Sequence, residues 1–440
     1  MAASDTTTFP KQDRHPDAPK QADLDRCVHC GLCLNACPTY RELGVEMDSP
    51  RGRIYQMVQV ASGAAQIGPS YMEHIDLCLA CRACETACPS GVQYGRLVEA
   101  ARAEIEAAVE RPFHQRMIRK IVFEHLLPSK TNLKIAGILM YLYQASGLQK
   151  LTRSSGLLKL LGGMGKAERL APAAEMPTFF RHYGRVLPAA GEKRHRVAFL
   201  GGCMANVFFA RLNEATVRVL QKNGCEVSIP EQQTCCGALH VHAGMRESAR
   251  KLARQNIDAL LAGNYDAIIT NAAGCGSTLK EYDELLERDP DYSEKALRFT
   301  GLMKDATEFL ASIELNRDMQ PLPYTVTYQD SCHLAHGQKV KAAPRALLGS
   351  VPGLKFKEMP LSDLCCGSAG IYNVVHTDMA MAILEKKMQF ANAIQCEVIT
   401  TANPGCMLQL RAGVEIYGKG QRVAHVIELL DEAYGKQIVT

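Results

Sequence analysis

Cys27-Val-His-Cys30-Gly-Leu-Cys33-Leu-Asn-Ala-Cys37-Pro38 decides how this chain is read, and Cys78-Leu-Ala-Cys81-Arg-Ala-Cys84-Glu-Thr-Ala-Cys88-Pro89 repeats its spacing. Two residues between thiols wrap the backbone around one cubane so that three sulfurs reach three irons, while the fourth Cys points to the other cluster. That rule assigns Cys27, Cys30, Cys33 and Cys88 to one [4Fe-4S] cluster and Cys37, Cys78, Cys81 and Cys84 to a second. Structural zinc sites also favour Cys-x2-Cys spacing. Four evenly spaced thiols ending in Cys-Pro, twice over, argue for iron-sulfur clusters and hence for an electron carrier.

With 440 residues the chain has room for two or three domains, each with its own core. Eighteen cysteines would suggest a disulfide scaffold in a small secreted protein. Here residues 1–25 read as a polar, disordered segment with neither an apolar signal core nor a twin-Arg motif. A reducing, cytoplasmic setting is therefore expected, in which thiols are available for iron. A net charge of +4, no Trp and 6% aromatic residues offer neither a strongly basic surface nor a base-stacking platform, which excludes nucleic acid as a partner.

The longest apolar run, Ile135-Ala-Gly-Ile-Leu-Met-Tyr-Leu-Tyr143, is about half of the ~20 residues a spanning helix requires. Arg111, Arg116, Arg119, Lys120, Lys130 and Lys134 precede it, and Leu157-Leu-Lys-Leu-Leu161 follows. Such a segment suits an anionic membrane surface or a partner subunit. An amphipathic helix covering the chain's own core is the plainer alternative.

Residues 26–110 hold the clusters, with a gap between Cys37 and Cys78 longer than a compact ferredoxin needs and helical stretches at Arg53–Val60 and Glu99–Glu110. Residues 111–190 read as a helical connector broken at Gly162-Gly163, Pro172 and Pro188. Gly162-Gly-Met-Gly-Lys166 lacks the frame of a phosphate loop and reads as a turn.

The remainder carries an internal repeat. Its first copy, 191–320, places Cys203, then Cys235-Cys236-Gly237, then Cys275; its second, 321–440, places Cys332, then Cys365-Cys366-Gly367, then Cys406. The offsets are 129, 130 and 131, so the copies are nearly free of insertions. Short β-rich runs precede the cysteines at Val197–Leu200, Glu226–Ile229 and Asp266–Thr270, and again at Val326–Tyr328, Lys355–Lys357 and Glu397–Thr400. Helical stretches such as Glu214–Lys222, Ser248–Leu261 and Asp378–Ala391 separate them. Alternating strand and helix implies a parallel, Rossmann-like α/β sheet in each copy. The fold class expected is thus α+β multidomain, with an all-helical two-cluster ferredoxin module, a helical connector and two duplicated Rossmann-like cysteine-rich domains.

In such sheets ligands gather at the carboxyl ends of the strands. Cys203, Cys235, Cys236 and Cys275, and likewise Cys332, Cys365, Cys366 and Cys406, fall there and are candidate further metal ligands. Cys225 and Cys396 precede their strands and belong at the opposite end, roughly 17 Å away, as buried core thiols. His240, His242, His333 and His336 lie near the thiol loops, where a structural role outweighs a ligand role.

The stretch from Cys27 to Tyr40, followed by Asp48-Ser-Pro-Arg-Gly-Arg-Ile-Tyr55, closely resembles the family of iron-sulfur subunits of bacterial glycolate oxidase. The likeness extends along nearly the whole chain, because that family also carries two cysteine-rich domains with Cys-Cys-Gly motifs. Similar domains occur in heterodisulfide reductase and anaerobic glycerol-3-phosphate dehydrogenase subunits, where the motif ends in Cys-x2-Cys. Here Ala272 and Asn403 replace the first member of that pair, leaving four cysteines per repeat. A four-ligand cubane, a zinc ion or no metal remain open for each repeat.

The resemblance implies an assembly in which FAD-containing partner subunits oxidise glycolate to glyoxylate. This chain would carry no catalytic residue of its own and would pass electrons through two [4Fe-4S] clusters to a quinone or another acceptor. No Gly-x-Gly-x-x-Gly follows a strand, so FAD is expected only on the partners. The resemblance also fits a cytoplasmic chain resting peripherally on the inner face of the cell membrane. Alternatives are a heterodisulfide-reductase-like subunit, an electron-transfer subunit of a D-lactate or glycerol-3-phosphate dehydrogenase, or repeats that are a metal-free docking platform. Hydrogen bonds and burial set cluster potentials, and the backbone around Gly31 and Arg82 is placed to do so. Iron analysis of anaerobically purified chain is expected to give at least about eight irons, fewer in Cys81→Ser. A wild-type value well below eight would sink the two-cubane reading.

Overall fold

The computed structural model describes residues 14–155, 168 and 171–435. The chain divides into two compact units, Met1–Pro112 with Leu239–Arg246, and Phe113–Ala238 with Glu247–Thr440. Leu157–Leu161 and the Gly162–Lys166 turn lie outside the described residues.

In the first unit every regular element among the described residues is helical. The helices Pro38–Leu43, Pro50–Ala61 and Pro69–Asp76 each open on a proline, whose fixed φ suits a first turn and whose missing N–H costs nothing there. Ser49 caps the second by accepting from Gly52 N at 3.0 Å. The helix Tyr94–Ala108 turns Leu97, Val98, Ala101 and Ile105 inward, against Ile54, Met57 and Ile75. Part of the segment expected to be disordered is folded. Gln21–Leu24 is a short helix with Leu24 buried in this core, and Arg14 pairs with Glu104 at 3.2 Å. The polar composition hid the apolar anchor Leu24.

The second unit opens with the helices Phe113–Arg119, Lys130–Ala145 and Leu148–Ser154. Leu133 and Gly137 face inward, Gly137 lying where a Cβ would meet Val207, while Ile135, Leu139 and Leu142 stay exposed. Among the described residues no helix is long and apolar enough to cross a membrane.

Two sheets follow. Strands β1 (Val186–Leu187), β2 (His195–Phe199), β3 (Cys225–Ser228), β4 (Ala267–Thr270) and β5 (Met303–Asp305) form one, ordered β1-β3-β2-β4-β5. Strands β6 (Thr325–Tyr328), β7 (Lys355–Phe356), β8 (Val398–Thr401) and β9 (Arg422–His425) form the other, ordered β7-β6-β8-β9. Every pairing is parallel except that of β1 with β3. β4 and β8 are buried at all four residues, as strands covered by helices on both faces must be. β1, β5 and β9 have no counterpart among the runs read from sequence. Two or three residues, or a strand opening on Arg, give too little β-pattern to stand out.

One continuous core joins both sheets, from Phe199, Val227 and Ile269 to Val326, Ile399 and Leu430. Arg218 on the helix Ala210–Lys222 meets Asp431 on the helix Val426–Ala433 in two bonds, at 2.8 and 2.6 Å. His425 is fully buried: its Nε2 donates to Asn271 O at 3.1 Å and its Nδ1 accepts from Ile427 N. Accepting at Nδ1 requires the neutral ring, and burial holds its pKa down at about 4. A histidine depressed in the fold stabilises above its ordinary pKa and loses that contribution as pH falls from about 6.5 towards 4. We expect His425→Asn to be less stable than wild type at pH 7 by up to about 3 kcal/mol, with the gap closing by pH 4. Urea unfolding at several pH values measures it; a gap independent of pH would refute this role.

Candidate metal centres

The two ferredoxin-type loops share one backbone. His29 and Gly31 in the first have φ of 53° and 85°, and Ala80 and Arg82 in the second have 51° and 64°. Left-handed residues before and after the middle thiol curl each loop inward, a conformation that costs a non-glycine residue about 1 kcal/mol or more. Arg51 braces the first loop by donating to His29 O at 3.1 Å, while Glu46 holds its other side at 2.7 Å.

Cys37, Cys78, Cys81 and Cys84 line one cavity, together with Thr39, Arg53 and Tyr94. All four thiols are buried. Donors surround the sulfurs: Tyr94 Oη donates to Cys78 Sγ at 3.6 Å and Ala80 N does so at 3.4 Å. Thr39 Oγ1 lies 3.2 Å from Cys37 Sγ. Arg53, fully buried, donates to His74 O at 2.6 Å and to Thr39 Oγ1 at 3.2 Å, with Asp48 at 3.4 Å. Burial opposes its charge, but Cys78, Tyr94, Cys37 and Asp48 more than offset that and push its pKa up. A fixed cation and several donors around four thiols fit an anionic cubane held by thiolates.

The other four thiols lie nearer the surface, with Cys30 exposed and Cys27, Cys33 and Cys88 half-buried. Burial raises the Cys27 thiol, and Cys88 and Cys30 add to that, so these three are electrostatic neighbours. Cys33 is raised by burial in the same way and feels Cys27. The exposed Val28 and Leu32 flank this set.

In the second unit each repeat gathers its four thiols at the carboxyl ends of its strands. Cys203 follows β2, Cys235 and Cys236 follow β3, and Cys275 lies in the helix Ala273–Leu279 after β4. Cys203 and Cys235 are 3.6 Å apart, and Cys235–Cys236 and Cys236–Cys275 are hydrogen bonded. Likewise Cys332 bonds Cys365, Cys365 bonds Cys366, and Cys366 bonds Cys406 in the helix Pro404–Tyr417. Gly367 N and Asn403 Nδ2 also donate to Cys365 and Cys406, each at 3.4 Å. These thiol-to-thiol bonds, with burial, push Cys235, Cys275, Cys365 and Cys406 up, Cys366 to about 12. Metal binding here must therefore displace protons. Among the described residues no three His, Cys, Asp or Glu close around one point as a single ion requires. Four thiols per repeat, three buried and one half-buried at Cys275 or Cys332, remain a donor set suited to a cluster.

The glycine of each Cys-Cys-Gly motif is required by the turn. Gly237 and Gly367 have φ of 81° and 90°, and a Cβ on Gly367 would stand 2.5 Å from Ala380 O. Cys225 and Cys396 are buried in the core, as expected. His336 Nε2 donates to Asp363 O at 2.9 Å, and His242 pairs with Glu99 at 3.3 Å. Arg53, Thr39 and Tyr94 were missed from sequence, although an Arg inside Asp48–Tyr55 on an otherwise apolar helix face was a signal.

Residues 23–92 match the 4Fe-4S dicluster domain family, 197–280 and 326–411 the cysteine-rich domain family, and 114–171 the linker region of the glycolate oxidase iron-sulfur subunit. The chain is 44% identical to the probable glycolate oxidase iron-sulfur subunit of Bacillus subtilis, over 94% of this chain and 95% of that one. It is 33% identical to the glycolate oxidase iron-sulfur subunit of Escherichia coli, over 94% and 95%. Lactate utilization protein A of Oceanobacillus iheyensis is 30% identical over 54% of this chain and 96% of its own.

Tyr94→Phe removes one donor to a Cys78 sulfur without altering the fold. We expect the midpoint potential of the buried centre to fall by about 40 mV, the one-electron equivalent of about 1 kcal/mol, with iron content unchanged. An EPR-monitored redox titration checks it, and an unmoved potential would show that the hydroxyl does not act on the sulfur.

Proposed function

The chain belongs to the family of glycolate oxidase iron-sulfur subunits, and from that premise we propose that it carries electrons from a flavin-bearing partner that oxidises glycolate to glyoxylate. The observation that carries this reading is the cavity in which Cys37, Cys78, Cys81 and Cys84 converge with Arg53 and Tyr94. A [4Fe-4S] cluster bound there supplies reversible one-electron storage. Cys37, Cys78, Cys81 and Cys84 would hold one cluster, and Cys27, Cys30, Cys33 and Cys88 the other. Arg53 and Tyr94 keep positive charge and a donor against the buried sulfurs, which favours the reduced form. The nearer-surface set, with Val28 and Leu32 exposed beside Cys30, is the side open to a redox partner.

In this reading the chain comprises a helical ferredoxin domain at 26–110, a connector at 111–190 and duplicated Rossmann-like cysteine-rich domains at 191–320 and 321–440. The parallel pairings and the matching orders β3-β2-β4-β5 and β7-β6-β8-β9 support the duplication. The eight thiols of the two repeats hold a further iron-sulfur cluster or zinc. FAD lies on the partner subunits, and the acceptor is a quinone or another carrier. Exposed Phe113, Ile118, Leu139 and Leu151, interspersed with Arg116, Lys120, Lys134 and Arg153, support a peripheral contact with the inner face of the cell membrane.

The test is quinone or dye reduction by the complex that co-purifies anaerobically with this chain, given glycolate and D-lactate in parallel. Glycolate-dependent reduction, lost at least about tenfold in Cys81→Ser, is the expected result. A complex active only on D-lactate would reassign the substrate. No flavoprotein and no 2-hydroxy-acid activity would refute the reading.

A further inference from the structure

The two thiol sites of the repeats are framed by different charges. Gly237 packs against Ala249 and Gly367 against Ala380, which aligns the helix Arg246–Leu261 with the helix Thr377–Ala393. Seven residues beyond these alanines stand Asn256 in one repeat and Lys387 in the other, both buried. Asn256 is a neutral brace: its Oδ1 accepts from Thr234 N at 2.8 Å and its Nδ2 donates to Cys235 O at 2.9 Å. Tyr282 Oη completes that frame by donating to Cys236 O at 2.9 Å.

Lys387 Nζ reaches into the loop that carries Cys365 and Cys366, donating to Leu361 O at 2.8 Å and to Ser362 O at 3.1 Å. Carbonyls orient an ammonium but do not neutralise it, and a buried cation needs a negative charge nearby. Asp330 is engaged elsewhere, by Arg345 in two bonds at 2.9 and 2.7 Å and by Ser362 Oγ at 2.7 Å. Asp363 is likewise engaged, by Lys341 Nζ at 3.1 Å. Burial disfavours the Lys387 charge, and of the groups that oppose this Cys366 acts most strongly, then Cys365, ahead of Asp330 and Asp363. A ligating thiol is a thiolate, which supplies the missing negative charge.

We propose that Cys332, Cys365, Cys366 and Cys406 ligate, as thiolates, a negatively charged iron-sulfur centre, and that Lys387 is its built-in counter-cation. Asn256 cannot fill that role in the first repeat, so the two repeats are electrostatically unequal. Binding releases the thiol protons and leaves a metal-thiolate charge beside the ammonium; no oxidant is required. The inference rests on the reading that the repeats hold metal, and it adds which repeat is charge-compensated and by what.

The experiment measures iron, sulfide and zinc per chain in the anaerobically isolated complex, before and during challenge with a chelator. Wild type, Cys406→Ser, Lys387→Gln and Lys387→Arg are compared. We expect wild type to hold metal beyond the about eight irons of the ferredoxin module. Cys406→Ser loses part of that excess while keeping the eight. Lys387→Gln, which retains hydrogen bonds but not charge, releases the same part about tenfold faster, and Lys387→Arg stays close to wild type. Sulfide in proportion to the released iron supports the cluster, and zinc without sulfide would overturn it. No excess metal in wild type would overturn the underlying reading and the inference with it. An excess untouched by Cys406→Ser would remove the second repeat as its site. An excess lost in Cys406→Ser but released equally from Lys387→Gln and wild type would overturn the counter-cation alone.

Discussion

Sulfur ligands must converge from a chain that passes each of them only once, so the backbone has to turn sharply next to its cysteines. The structure meets this constraint with left-handed residues. His29 and Gly31, Ala80 and Arg82, and the glycines of the two Cys-Cys-Gly motifs all have positive φ. Local strain at Ala80 and Arg82 is held in place by the surrounding helices, whose caps and buried faces are ordinary. The helices around the first unit's cavity and the sheets of the second serve the same end by different means. One wraps a short loop inside helices; the other brings separate loops to a common edge.

The second shared element is internal charge. Arg53 is fully buried among Thr39, Asp48, His74 and the thiols, and Lys387 is buried against loop carbonyls beside Cys365 and Cys366. A buried cation is costly unless something negative faces it. In both cases thiols are the neighbours, which ties an energetic requirement of the fold to the chemistry of its sites. The exposed position of Cys30 and the buried position of Cys37, Cys78, Cys81 and Cys84 give the two ferredoxin-type sets unlike solvation, and clusters held there would differ in potential for that reason.

Much of the candidate site was legible because its signal is local. Cys-x2-Cys-x2-Cys-x3-Cys-Pro needs no tertiary knowledge to be read, and the repeated spacing of Cys203, Cys235-Cys236 and Cys275 against its second copy revealed a duplication. Mixed helix and strand content with a ferredoxin-type and two cysteine-rich domains was likewise within reach. The folded stretch around Leu24 was not, since a four-residue helix with one apolar anchor carries no periodicity. The short edge strands β1, β5 and β9 escaped for the same reason. Lys387 left a trace: Ala380, Ile383, Leu384, Met388 and Ala391 form the buried stripe of its helix, and Lys387 falls on it.

The sequence by itself determined the donor chemistry, the number of thiols and the order of the domains, because these depend on residue identity and on spacing along the chain. Only the tertiary structure decided which donors stand against which sulfurs, that Arg53 is buried and Cys30 exposed, and that Asn256 and Lys387 occupy matching places. Those relations join residues far apart in the chain, from Tyr94 to Cys78 and from Lys387 to Leu361. Burial and electrostatics act through space, and no spacing rule along a chain encodes them.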